Sequence, residues 1–284
     1  MGKAGDMAMN QLTVDDILRR ALQEDIGFGD LTSEAIFAEG HYSRGYLLAK
    51  EDLVLAGMEV FTRVFVLLDD RIKVSSRYVD GDRVSEGEKF AALEGPTRAL
   101  LMGERVALNF MQRLAGIATQ TSRYVAAARG YGAIITDTRK TTPGLRMLEK
   151  YAVAVGGGSN HRFGLDSMVM IKDNHIKAAG GISAAINQIR ERVSPFIKIE
   201  VETETLEQVR EAVAAGVDVI MLDNMPIAVI KEAVDMIRGR ALIEVSGNVT
   251  LERIGDLAAA GVDIISSGAL THSVKAADIS MKLE

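Results

Sequence analysis

Apolar and polar positions follow two different rhythms along this chain. Between Ile134 and Gly268, six short runs rich in β-branched residues each end at a polar or charged residue, and a helical pattern follows. The runs are AIITD before Thr138-Arg139-Lys140, MVMI before Lys172-Asp173, IKIEV before Glu202, VIML before Asp223, LIEV before Ser246-Gly247 and DII before Ser266-Ser267-Gly268. Near-continuous apolar runs read as strands buried on both faces, the mark of a parallel sheet covered by helices. The helical segments LEQVREAVAAG, PIAVIKEAVDMI and LERIGDLAAAG end near glycine, and two lead into the related runs GVDVIMLD and GVDIISSG, a weak internal repeat of βα units. No GxGxxG follows the first strand, which favours a barrel over an open dinucleotide-binding sheet. Parallel α/β barrels carry their chemistry at the C-terminal ends of the strands. The residues that close these runs therefore form a ring of candidates around one mouth.

The first hundred residues lack that rhythm. Residues 13–25 predict a helix with Thr13 as its cap and Val14, Ile17, Leu18, Ala21 and Leu22 on one face. IGFGDLTS breaks it. YLLAKEDLVLAG then reads as a strand running into a turn, MEVFTRVFVLL as a second helix, and VSSRYVDGDRVSEGEKFAALEGP as β-hairpins around Asp-Gly and Glu-Gly turns. This is a separate α+β unit. From Thr97 to Arg129 only Gly103 and Gly116 interrupt helical segments that connect the two regions.

Composition narrows the chemistry. A chain of 284 residues allows one large domain or two modest ones. A net charge of −6 argues against a global grip on nucleic acid or an anionic membrane surface, so any anion must be held by a local cluster. With no cysteine, disulfides, thiolate–zinc sites and thiol catalysis are excluded, which fits a cytoplasmic protein. MGKAGDMAMNQ lacks the apolar stretch of a signal peptide, Asp6 spoils a myristoylation pattern, and no apolar run approaches the roughly 20 residues of a membrane span.

The densest cationic stretch, Thr138–Lys177, holds Arg139, Lys140, Arg146, Lys150, His161, Arg162, Lys172, His175 and Lys177 against Glu149, Asp166 and Asp173. Arginine offers a planar fork and lysine a point charge to carboxylate or phosphate. A solvated helix surface is the plainer reading for Arg146, Lys150 and Lys177, but not for Arg139, Lys140 and Lys172, which close apolar strands. In KIEVETE, Lys198, Glu200 and Glu202 share one strand face, pointing into a barrel. Glu202 and Asp223 are suited to Mg²⁺ or sugar hydroxyls. An internal salt-bridge network with Lys198 and Lys172 is the alternative, stronger for Glu200 than for Glu202. Ser246-Gly247-Asn248 and Ser266-Ser267-Gly268-Ala269 follow late strands, where small residues and helix starts commonly hold phosphate. The loop at 156–160 sets His161-Arg162 in place, and the roles of His175 and His272 stay open. No paired-histidine spacing and no G-x-S-x-G elbow is present.

Taken together, EDIGFGDLT (24–32), ERVALNFMQRLAGIAT (104–119), the stretch 137–165, IKDNHI (171–176), VETE and LDNM (201–204, 222–225) and SSGALTHS (266–273) resemble the quinolinate phosphoribosyltransferases over nearly the whole chain. The resemblance implies phosphoribosyl transfer from phosphoribosyl pyrophosphate to quinolinate with loss of CO₂, giving nicotinate mononucleotide with Mg²⁺ as cofactor. It implies a type II phosphoribosyltransferase fold: an N-terminal α/β sandwich over 1–115, then an open, incomplete parallel α/β barrel over 116–273, with 274–284 able to pack back on the first domain. It implies a homodimer or larger assembly of dimers in which Arg105 reaches into the partner subunit's site. Thr138, Arg139, His161, Arg162 and Lys172 would join Arg105 in binding quinolinate, and Lys140 would lie between the reacting ring and the sugar pyrophosphate. Glu202 and Asp223 would hold the ribose hydroxyls and the metal, directly or through water. Ser246, Gly247, Asn248, Ser267, Gly268 and His272 would take the phosphate, with Lys140 and Lys172 contributing to donor binding. The family often has a second glycine where this chain has Asn248, and valine where it has Ser267. Three other readings compete: a paralogue associated with molybdenum transport, a barrel lyase or aldolase with Lys140 or Lys172 as a Schiff base, and a non-catalytic anion-binding protein.

Overall fold

The computed structural model describes residues 9–284, so the reading of the extreme N-terminus falls outside the described residues. The chain divides into two compact units. One comprises the residues up to Ser122, Thr142–Gly157 and Ser273–Glu284, and the other Arg123–Thr141 and Gly158–His272.

In the first unit, α1 (Gln11–Ile26) starts earlier than the sequence predicts. Asn10, not Thr13, is its cap, and the Asn10 Oδ1 accepts the N–H groups of Leu12 and Thr13 at 3.1 and 3.4 Å. The predicted face holds, with Val14, Leu18 and Leu22 buried. The glycine-flanked stretch after it is not only a break: Asp30 caps a short helix, α2 (Leu31–Ile36), by accepting from the N–H groups of Thr32 and Ser33. β1 (Tyr42–Ala49) and β2 (Leu53–Val54) lead to α3 (Met58–Leu68), the apolar helix predicted at that position. Its first N–H groups, like that of Gly57, need an acceptor, and the Asp80 carboxylate takes those of Gly57 (2.6 Å) and Met58 (3.1 Å).

The predicted hairpins pair differently. β3 (Lys73–Ser76) and β5 (Lys89–Pro96) are antiparallel neighbours, whereas β4 (Arg83–Val84) between them turns away to pair with β2. One long helix follows, α4 (Thr97–Ala127), unbroken by its glycines. Both mark close approach instead. A Cβ at Gly103 would lie 2.8 Å from Phe65 and Leu68, and one at Gly116 would lie 2.2 Å from the Lys275 carbonyl oxygen.

In the second unit, every one of the six predicted strands is present. They are β6 (Ile134–Thr136), β7 (Val169–Ile171), β8 (Ile199–Thr203), β9 (Val219–Asp223), β10 (Leu242–Ser246) and β11 (Ile264–Ser266). They form one parallel sheet in the order β6-β11-β10-β9-β8-β7, so β6 and β7 are the two edges. That is an open, incomplete barrel. After β6 the chain forms α5 (Arg146–Val155), which belongs to the first unit. The later connections carry α6 (Asp173–Ala179), α7 (Ile182–Arg190), α8 (Leu206–Ala215), α9 (Ile227–Ile237) and α10 (Ile254–Ala259), and α11 (Ala269–His272) follows β11. The Gly-Val-Asp repeat has a structural cause. Asp218 accepts the N–H of Ile199 and Asp263 that of Ile243, each at 2.8 Å, so each aspartate satisfies the start of the neighbouring strand. The last strand, β12 (Ile279–Leu283), belongs to the first unit and pairs antiparallel with β1, completing the sheet β12-β1-β5-β3.

Candidate active site

Parallel strands that end at one rim bring their last residues together whatever their separation in sequence. In the second unit they enclose a cavity of about 610 Å³. Thr138, Arg139, Lys140, His161, Arg162, Lys172, Glu202, Asp223, Ser246, Gly247 and Asn248 all line it, as do Ser266, at the start of the other late-strand candidate, and the unpredicted Met170, Met221, Asn224 and Glu244. Three residues expected at the phosphate fall behind this lining. The Ser267 N–H donates to the Thr136 carbonyl (3.0 Å), its side chain is buried, and its hydroxyl faces the Val249 carbonyl at 3.5 Å. A Cβ on Gly268 would lie 2.8 Å from the His272 ring and 2.9 Å from the Lys140 side chain, so this glycine lets those two side chains converge. Arg105 is exposed on α4 in the first unit.

The cavity's charges are opposed rather than uniform. Lys172 Nζ lies 2.6 Å from Glu202 Oε2, so the predicted internal pair forms with Glu202 and not with Glu200. Lys198 is exposed, just before β8. Burial lowers the Arg162 pKa, and the nearby Arg139 charge lowers it further, with Glu200 opposing. Two guanidinium groups that disfavour each other's charge in a partly desolvated hollow are relieved by an anion between them. Lys150, expected on a solvated helix face, is fully buried in α5 of the first unit, as is its neighbour Glu149.

Beneath the cations lies a buried trio. His161 Nε2 is 3.3 Å from Glu200 Oε2 and 3.3 Å from Glu244 Oε2, and both carboxylates are buried. The backbone N–H of Arg162 donates to His161 Nδ1 at 2.8 Å. Burial opposes protonation of the ring, but hydrogen bonds to Glu200 and Glu244 and their negative charge outweigh it, pushing the His161 pKa up to about 10. Burial also raises the Glu200 carboxyl. The Nδ1 contact needs a lone pair on that nitrogen, so the ring carries its own proton on Nε2, and the extra proton the trio keeps through neutral pH is shared with the glutamates. A metal on Nε2 would force the proton onto Nδ1, against a donor. The arrangement is therefore a proton-sharing group rather than a metal centre. The 156–160 loop is set by Asp137, which is buried and accepts from Asn160 Nδ2 (2.7 Å) and the His161 N–H (2.8 Å). Glu244 had a signal in the sequence, an acid inside the apolar run LIEV, but it lacks the charged companions on its strand face that singled out Glu200.

Known proteins bear on this geometry. The profile of the quinolinate phosphoribosyl transferase C-terminal domain matches residues 117–282, and that of the N-terminal domain matches residues 30–115. The chain belongs to the quinolinate phosphoribosyltransferase family. It is 48% identical over 273 residues to the probable nicotinate-nucleotide pyrophosphorylase [carboxylating] of Bacillus subtilis (strain 168), covering 96% of this chain and 94% of that protein. It is 46% identical over 288 residues to quinolinate phosphoribosyltransferase [decarboxylating] 2b, mitochondrial, of Nicotiana tabacum, covering 95% of this chain and 82% of that protein. The crystal structure of NadC from Streptococcus pyogenes superposes with a TM-score of 0.95 at 46% identity, covering 98% of this chain and 99% of that one. The family thus accounts for both units, including the sheet strand that returns at the C-terminus. No helix among the described residues is long and apolar enough to cross a membrane.

Proposed function

We propose that this quinolinate phosphoribosyltransferase family member transfers a phosphoribosyl group from phosphoribosyl pyrophosphate to quinolinate with decarboxylation, giving nicotinate mononucleotide, pyrophosphate and CO₂ for NAD biosynthesis. One observation carries the reading: a single cavity sets Arg139, Lys140, Arg162 and Lys172 against Glu202 and Asp223. Quinolinate is a dicarboxylate and the donor a polyphosphate, so cations gather both. As the C1–pyrophosphate bond lengthens, positive charge grows at the ribose, and carboxylates at the rim stabilise it. The pyridine nitrogen's lone pair forms the new bond to C1 and pyrophosphate leaves with the old bonding pair. The C2–carboxylate bond then breaks, its electrons remain at C2 beside the cationic nitrogen, and C2 takes up a proton as CO₂ departs. No protein nucleophile enters this scheme, and positioning supplies much of the rate.

Glu202 and Asp223 end adjacent strands and offer hard oxygen ligands, a donor set that fits Mg²⁺, which keeps waters and shares substrate phosphates. These two residues would hold it, directly or through water, and the ion supplies charge against the leaving pyrophosphate. Within this reading Arg139, Arg162 and Lys172, beside Thr138, bind the quinolinate carboxylates. His161 serves them from below, keyed to its glutamates. Lys140, backed by Gly268 and His272, faces the donor, and Ser246 and Gly247 take its 5′-phosphate, while the Asn248 amide is engaged with Asn224. Its substrates and its lack of cysteine are consistent with the cytoplasm.

The purified protein with Mg²⁺ is expected to convert quinolinate and phosphoribosyl pyrophosphate to nicotinate mononucleotide, and chelation of the metal to stop it. A folded protein that yields no product at saturating substrates would overturn the reading. The same proposal makes the enzyme a homodimer with shared sites, supported by the exposure of Arg105 on α4. Mixing Arg105→Ala subunits with Lys140→Ala subunits is then expected to restore turnover that neither variant has alone. An inactive mixture whose subunits have demonstrably exchanged contradicts sharing.

A further inference from the structure

Asp223 is a candidate ligand for the ribosyl donor, and what fixes its carboxylate is two further residues on the cavity rim. Asn224 Nδ2 donates to Asp223 Oδ2 at 2.9 Å, and Asn248 Nδ2 donates to Asn224 Oδ1 at 3.0 Å. The direction of this chain is forced. An ionised carboxylate only accepts, so Asn224 must turn its NH₂ toward Asp223, which leaves its oxygen to accept from Asn248. Both asparagines stand at positive φ, 54° and 48°, in a region few non-glycine residues adopt. That backbone is held from outside the relay: the Asn224 N–H donates to the Ser246 carbonyl (3.0 Å) and Arg253 Nη1 to the Asn248 carbonyl (2.7 Å). Gly247 completes the fit, since a Cβ there would lie 2.2 Å from Asn224 Oδ1 and displace the amide.

We propose that Asn224 and Asn248 are positioning residues that act in series on Asp223. They tie down Oδ2 and so leave Oδ1 as the oxygen offered to the ribosyl donor. Strained backbone retained at a rim, with side chains that join the ends of two neighbouring strands, fits preorganisation of a carboxylate rather than a turn requirement. Glycine would satisfy either turn at lower strain. The inference rests on the donor assignment made above and is independent of which acceptor reacts.

The test uses Asn224→Gly, Asn248→Gly and the double variant in the full-length protein. Glycine accepts positive φ, so the backbone is retained and only the amides are lost. Phosphoribosyl pyrophosphate affinity is measured by calorimetry without quinolinate, and the KM values of both substrates by steady-state turnover. Each single variant is expected to weaken donor binding about three- to tenfold, the range for one ordinary hydrogen bond, because the loss reaches the donor only through Asp223. The quinolinate KM should stay within about twofold. The double variant should be no worse than Asn224→Gly, because residues in series do not add. Additive losses, equal changes in both KM values, or unchanged donor affinity in Asn224→Gly overturn the relay. A wild-type protein that binds the donor but forms no nicotinate mononucleotide would remove the acceptor assignment and leave the relay to be judged on donor affinity. A wild type that does not bind the donor would remove both.

Discussion

Glu202→Gln is expected to lower kcat by about 10²–10³-fold, the cost typical of losing one preorganised electrostatic group at a reacting centre. The substitution keeps the size and shape of the side chain and removes only its charge. Two consequences then separate in the kinetics. In the proposed scheme the side chain no longer stabilises positive charge at the ribose, an interaction stronger in the transition state than in the ground state, so the loss is expected in kcat. Lys172, whose Nζ now sits 2.6 Å from the Glu202 carboxylate, loses its counter-ion and turns to the substrate. The quinolinate KM is therefore expected to hold steady or fall. Steady-state kinetics with each substrate varied against a saturating partner check this. A loss confined to KM, or a fall in kcat below about tenfold, contradicts the role given to Glu202.

Much of the second unit was legible because buried parallel strands leave an unambiguous trace. The six β-branched runs are the six strands, and every one of them sends at least one of its closing residues to the lining of one cavity. The first unit was less so. Gly103 and Gly116 read as interruptions of helical segments, yet each stands where another part of the fold comes too close for a Cβ. Nothing local records that Lys275 lies opposite Gly116. The same limit explains the hairpins. The Asp-Gly turn at 80–81 suggested local pairing, but Asp80 is spent on the start of α3 and β4 pairs with β2. At the site, a salt-bridge network with Lys172 and Lys198 is the alternative the sequence favours for Glu200 over Glu202, yet it is Glu202 that Lys172 meets. Glu200 was assigned to the same network, but its partner is His161, which comes from an irregular loop whose path depends on Asp137. Periodicity places residues on strand faces, but it does not say which loop residue descends between them. Asn224 escaped notice for a related reason: its importance lies in the amide it turns toward its neighbour, a contact only backbone conformation reveals.

The largest expected effect on stability comes from Arg113→Ala. Glu149 is fully buried in α5, and Arg113 on α4 meets its Oε1 with Nε at 2.8 Å and Nη2 at 2.6 Å. The other oxygen accepts the Thr142 N–H at 3.1 Å, and Arg113 Nη2 also donates to the Thr142 hydroxyl at 2.7 Å. All three residues belong to the first unit. The arginine therefore compensates a desolvated carboxylate and anchors the start of the 142–157 segment. Truncating it leaves Glu149 without that arginine in a site water does not reach, a change that costs about 3–5 kcal/mol when one partner of a buried pair is removed. That is a large share of the roughly 5–15 kcal/mol by which domains are stable, and it corresponds to a thermal midpoint lower by about 10 °C. Replacing both partners, as Arg113→Met with Glu149→Leu, is expected to cost less than the single change, because the uncompensated charge is then gone. Thermal and urea unfolding of the two variants beside the parent decide the matter. A single variant as stable as the parent, or a double variant less stable than the single, would mean that the pair is not what holds this segment.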